Sequence, residues 1–145
     1  MLLKNKTIEL KTSPGINIYN LTPYVVDFLA TTAIHHGQVL VFSRHTTTAL
    51  VINENEERLL EDLKAYLEKL IPTSNKYLHN DLHLRKVSPG ETKNAHSHLM
   101  AMMLNTSEVI PVVEGQLVLG TWQSLLFIDL DGPKNRTVLV QVSGE

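Results

Sequence analysis

Apolar positions along this chain fall into alternating runs and helical stripes, and those patterns predict most of its elements. Ile8 and Leu10 point one way and Thr7, Glu9 and Lys11 the other, as in a half-buried edge strand. Ser13-Pro14-Gly15 is a turn. Leu21-Thr22-Pro23 opens a helix, with Thr22 as cap, Pro23 at the first helical position and Leu21 stapled onto Val26. Its apolar face is Val26, Leu29, Ala33 and Ile34, and His35-His36-Gly37 close it at the negative end of the dipole. Residues 38–43 form a buried strand that continues in some form to Ile52.

A second helix follows, with Asn53 as cap, Glu56 three residues on, and Leu59, Leu60, Leu63, Leu67 and Leu70 facing the core until Pro72 stops it. Residues 72–93 are polar and irregular, a loop of a length that is usually functional or mobile. A third helix is expected over 94–104, with Leu99, Met102 and Met103 as its core stripe. Strands are expected over 109–113, 116–119, 124–130 and 137–142, with turns at Glu114-Gly115 and Asp131-Gly132-Pro133. Strands outnumber helices without strict alternation. The expected fold is α+β, one domain over 1–145, a mixed β-sandwich with about three helices on one side.

Composition narrows the function classes. A formal charge of -2, with no Lys/Arg run, gives no electrostatic reason to bind nucleic acid. No apolar stretch reaches the roughly eighteen residues of a membrane span, and residues 1–20 lack a signal-peptide core. The chain has no cysteine, which excludes thiol chemistry and makes the cytoplasm the default compartment. Any metal must then be held by His, Asp, Glu or backbone oxygen.

The chemistry concentrates at few places. His45-Thr46-Thr47-Thr48 follows one apolar run and Asn53-Glu54-Asn55 ends the next. Polar groups at the ends of rigid elements are how folds build sites. Capping accounts equally well for part of the second group. Zinc-like ions favour imidazole, and catalytic sites use three protein ligands. Of the seven histidines, His35 and His36 read as helix-end residues and His83 as a solvated loop residue. His96 and His98 lie about 200° apart on a helix, so only one joins a site; His96 is expected to face solvent. His45, His79 and His98 are the triplet selected. If residues 45–53 are extended, His45 and Asn53 are about 26 Å apart, and the two ends then serve sites on neighbouring subunits. Gly120-Thr121-Trp122-Gln123 reads either as a structural bulge or as a ring wall, Trp122, beside a hydrogen-bonding amide, Gln123. Arg136 could clamp a phosphate or lie on the surface. Thr106-Ser107 could aid an anion site. No phosphate loop, serine-hydrolase elbow or dinucleotide fingerprint is present.

These residues resemble the YjbQ-like family, also named the secondary thiamine-phosphate synthase enzyme family. The resemblance rests on His45-Thr46-Thr47, Leu50, Asn53-Glu54-Asn55, Tyr77, His79-Asn80-Asp81, His98-Leu99, Ser107, Gly120-Thr121-Trp122-Gln123, Arg136 and Gly144-Glu145, which span nearly the whole chain. It implies a homotrimer and a site lined by His45, His79 and His98. It also implies a thiamine-phosphate synthase activity that joins a hydroxymethylpyrimidine diphosphate to a thiazole phosphate. In that reading the histidines hold a zinc-like ion, or magnesium accompanies the diphosphate. Thr46, Thr47, Ser107 and Arg136 bind a phosphorylated small molecule, with Asn53, Asn55 and Trp122 beside it, and Glu54 and Gln123 act on it. The alternatives are a metal-dependent hydrolase with Glu54 as base, and a non-catalytic trimer that binds a metal or small anion. Two departures from the family pattern stand out: Thr48-Ala49, where a small residue and serine are common, and a longer loop that adds His83 and His96.

Overall fold

The run Leu125-Leu126-Phe127-Ile128-Asp129-Leu130 is buried on both faces and divides the molecule. In the computed structural model, which describes residues 1–145, it belongs to β7 (Ser124–Gly132). This strand is the centre of a three-stranded antiparallel sheet, between β2 (Gly15–Asn20) and β4 (Thr48–Asn53). Five further strands form the larger antiparallel sheet: β1 (Leu2–Lys11), β8 (Asn135–Gly144), β3 (Gly37–Ser43), β5 (Ser107–Val113) and β6 (Gln116–Leu117), in that spatial order. As its alternation predicts, β1 lies at an edge.

Alternation along β7 builds two cores. Leu125 and Phe127 point towards the large sheet, where Val39, Val41, Val138 and Val140 meet them. Ile128 and Leu130 point the other way, onto Leu67 of α2 (Glu57–Leu70) and Met100 of α3 (Ala95–Met102). Helix α1 (Thr22–Ala30) closes the first core with Val25 and Leu29. The expected α+β sandwich with three helices is therefore present, but only α2 and α3 share one side, because α1 closes the core between the sheets.

The helices differ in detail from expectation. α1 stops at Ala30, short of His35, because the Thr31 and Thr32 hydroxyls bond back to the carbonyls of Phe28 and Leu29, each at 2.7 Å. Val25 rather than Val26 is buried on it. Glu56, not Asn53, caps α2, accepting from the Arg58 N–H. On α3 the core face is Ala95, Ser97, Met100 and Ala101, while Leu99, Met102 and Met103 are exposed. The tie that sets this rotation is the Ser97 hydroxyl donating to the Leu130 carbonyl at 2.6 Å.

Two glycines face each other where β3 and β8 meet, Gly37 opposite Gly144. A Cβ on Gly37 would lie 1.9 Å from the Ser143 carbonyl oxygen. Next to this pair the Glu145 carbonyl accepts from the N–H groups of both His35 and His36, each at 2.8 Å. Gly37→Ala is expected to force these backbones apart. The loss of stability should be at least about 1–3 kcal/mol, the scale of overpacking, and urea unfolding measures it; an unchanged midpoint would show the strands can yield.

Candidate functional site

The two polar groups suggested by the sequence stand at opposite ends of β4. Thr48 pairs with Asp129 and Asn53 with Ser124, so the strand is extended and cannot bring His45 and Asn53 together.

At the first end, Arg136 is 4% exposed, and two of its three guanidinium nitrogens are bonded inside the protein. Its Nε donates to Asp129 Oδ2 at 3.1 Å, and its Nη2 to Asp129 Oδ1 at 2.9 Å and Thr47 Oγ1 at 2.8 Å. Burial pushes the Asp129 carboxyl up, but hydrogen bonds from Arg136 and from the Asp131 N–H outweigh it and hold the group below its ordinary value. Arg136 and Thr47 are thus structural, which corrects their expected role as phosphate ligands. The unread signal was Asp129 itself, a carboxylate inside a doubly buried strand, which has to find a cation. His45 is committed too: its Nε2 accepts from the Thr137 N–H at 2.9 Å. Burial and then the Arg136 charge lower its pKa, so it is neutral at pH 7.

His79 and His98 do meet. Their rings stand edge to face, 4.7 Å between centroids, with planes at 78°. His98 projects from α3, and His79 from the first of two short 3-10 turns, Leu78–Asn80 and Leu82–Leu84. The segment expected to be irregular thus contains two short turns. Arg85 Nε donates to the His79 carbonyl at 2.9 Å, and Arg85 pairs with Glu91. Asn80 Oδ1 accepts from the Ala95 N–H at 3.1 Å, at the start of α3. Burial and then the His79 charge lower the pKa of His98, against the opposing pull of Asp131, Glu91 and the Thr46 backbone. At neutral pH His98 is an uncharged base.

The two imidazoles line a cavity of about 550 Å³, with Tyr77, Leu78, Leu99 and Met102 as its apolar wall. Lys76, Tyr77 and Leu78 separate it from a polar cleft of about 660 Å³ that also carries Lys93, Asn75 and Asp81. Although the second is larger, the titratable pair belongs to the first. Neither Lys76 nor Lys93 is in an ion pair. Asp131, held by Asn94 Nδ2 at 2.8 Å, lies close enough to raise the pKa of His98. His83 is exposed as expected, whereas His96 is half-buried with its Nδ1 unpartnered.

The other end of β4 holds Asn53, Glu54 and Asn55 beside the turn that enters β7. Asn53 Oδ1 accepts from the Glu54 N–H at 2.7 Å. Gln123 Oε1 accepts from the Gly120 N–H at 2.8 Å, so the oxygen of this amide closes the turn. Trp122 is 72% exposed and walls nothing within its own chain. Thr46 and Asn55 are exposed, and Ser107 lies in β5 opposite Phe42, away from the imidazole pair's cavity.

The family model described as UPF0047 protein YjbQ-like matches residues 6–145. A UPF0047 protein of Methanothermobacter thermautotrophicus is 40% identical over 145 residues, covering 100% of this chain and 95% of that protein. One of Archaeoglobus fulgidus is 42% identical over 134 residues, 92% of this chain and 97% of the other. Among solved structures, a YbjQ-like protein of unknown function from Sulfolobus solfataricus has a TM-score of 0.90 at 32% identity, with 99% of each chain covered. A hypothetical protein from Aeropyrum pernix has a TM-score of 0.88 at 35% identity, covering 98% of this chain and 99% of that one.

These findings correct the expected function. The relatives share the fold and bring with them no thiamine-phosphate synthase activity. The donor set for the expected metal does not fit either: no three His, Asp or Glu side chains are grouped so as to hold an ion, and His45 Nε2 is already engaged by Thr137. The metal-binding synthase falls, and the three-histidine metal centre goes with it. What survives is the pair His79–His98.

Proposed function

Because the chain belongs to the UPF0047 protein YjbQ-like family, which supplies a fold and no reaction, we propose a function from its own cavity. The protein is an enzyme that binds a small organic molecule between Tyr77–His79 and α3, and His98 removes a proton from it as general base. One observation carries this reading: two half-buried imidazoles in edge-to-face contact on the wall of an open cavity of about 550 Å³, with burial lowering the pKa of His98. A general base works best when it is neutral at working pH and faces the substrate. The second imidazole keeps a further proton off His98 by charge repulsion. The apolar wall suits the carbon body of the ligand. The free ammonium groups of Lys76 and Lys93 suit an anionic group, phosphate or carboxylate, at its other end.

The test starts from binding. Histidine ring resonances are followed by NMR while small phosphorylated and carboxylated metabolites are added. Hits are expected to move the signals of His79 and His98 first. Turnover of a hit should then fall by roughly 10²–10⁴-fold in His98→Gln, with the fold intact by circular dichroism. Its pH profile should show a limb rising as His98 deprotonates, below the ordinary imidazole value of about 6.5. If every hit leaves both rings unmoved, or His98→Gln turns over normally, the reading is wrong.

A further inference from the structure

We propose that the protein has a second small-molecule site, beneath the first half of α2, which takes an amine with a ring-sized apolar body. The site is separate from that of the imidazole pair: the two cavities share no lining residue. The leucine stripe of α2 predicts a continuous buried face. Leu67 alone is buried on that helix, and Leu63 and Leu60, one and two turns earlier, stay half-buried. Under them lies a cavity of about 230 Å³. Val51 of β4 with Leu126 and Ile128 of β7 forms its floor, and Leu104, just past α3, adds another apolar wall. An apolar cavity of about 150 Å³ holds a benzene ring, so this one has room for a ring and a short arm.

Charge selects the arm. Glu54 is the one charged residue among those that line the cavity. It is half-buried, and its carboxylate joins no ion pair. Arg58, four residues on, is exposed and unpaired as well, so it does not neutralise Glu54. A carboxylate drawn partly out of water without a counter-charge is a ready partner for a cation, and a hydrogen bond to it is about twice as strong as a neutral one. An ammonium group does not enter an apolar space unpaired. It would stay against Glu54 while the ring lies under Leu60 and Leu63. A carboxylate or phosphate in the same place would meet Glu54 as a like charge, which sets this site apart from the cleft that carries Lys76 and Lys93.

Benzylamine is the probe, followed at pH 7 through the NMR signals of leucine and isoleucine methyl groups. It should shift those of Leu60, Leu63, Leu104 and Ile128 and saturate at millimolar concentration. Benzyl alcohol, of the same shape without the charge, should bind at least roughly tenfold more weakly, the scale of one hydrogen bond to a charged group. Benzoate should not bind. Glu54→Gln should bring benzylamine down to the level of benzyl alcohol, and Leu63→Phe, which fills the space from α2, should weaken both. Circular dichroism is expected to show the fold intact in each variant. Cavity methyl signals that benzylamine leaves unmoved would overturn the proposal, as would benzyl alcohol or benzoate binding equally well. So would an affinity for benzylamine that either variant leaves unchanged. None of these readings involves His98 or turnover, so this site and the proposed base fail separately.

Discussion

Asp129→Ala is expected to lower folding stability by about 3–5 kcal/mol, the cost of leaving one member of a buried ion pair without its counter-charge. Asp129 is 0% exposed and Arg136 4%, so water cannot replace the lost carboxylate. Two of the guanidinium's hydrogen bonds go to Asp129, and the third, to Thr47, carries no charge to balance it. The double change Asp129→Leu with Arg136→Met removes both charges and should recover most of the loss, since an apolar pair of similar volume is often neutral or better. Urea unfolding of the two variants at pH 7 decides it. A loss below about 1 kcal/mol for Asp129→Ala would mean the pair is hydrated in solution. The pH dependence has a definite sign. The folded carboxyl titrates below its unfolded value of about 3.9, so its stabilisation is complete above that value and disappears as pH falls through the folded pKa. The acid limb of the stability curve should therefore be shallower in the double variant.

Phe127→Ala is the second large effect, again about 3–5 kcal/mol. Phe127 is fully buried at the middle of β7, with Tyr19 on one neighbouring strand and Leu50 on the other. Its ring fills the space between the sheets, where strands fixed by ladders on both sides cannot close in on a cavity. Ile128→Ala, one residue on, empties the other core instead, where the wall is helical and can settle inwards. The cost there is expected at the lower end of the range of about 2–5 kcal/mol. Equal losses in urea unfolding, or a greater loss at Ile128, would show that the sandwich is not the stiffer of the two layers.

What could be read from the residues depended on how far away their partners were. The strands were legible because alternation is a local property, and β1 could even be placed at an edge. Helix ends were less so: Thr31 and Thr32 stop α1 through bonds to carbonyls three residues back, a competition that the apolar stripe through Ile34 concealed. The stripe on α3 misled because one hydroxyl, Ser97, turns the helix to reach Leu130. In the site, two of the three selected histidines, His79 and His98, stand in contact. His45 is engaged elsewhere, since its partner Thr137 lies 92 residues along the chain. Arg136 was offered a phosphate because Asp129 went unnoticed only seven residues before it.

The Ser97–Leu130 bond gives the site one fixed half and one adjustable half. It fastens α3, and with it the backbone that carries His98, to the central strand. His79 rides on a segment whose ties run to Arg85 within itself and, through Asn80, to the first residue of α3. A guest wider than the present gap would displace His79 and leave His98 as the stationary reference. Molecules of different girth could then be admitted while the basic nitrogen of His98 keeps its aim.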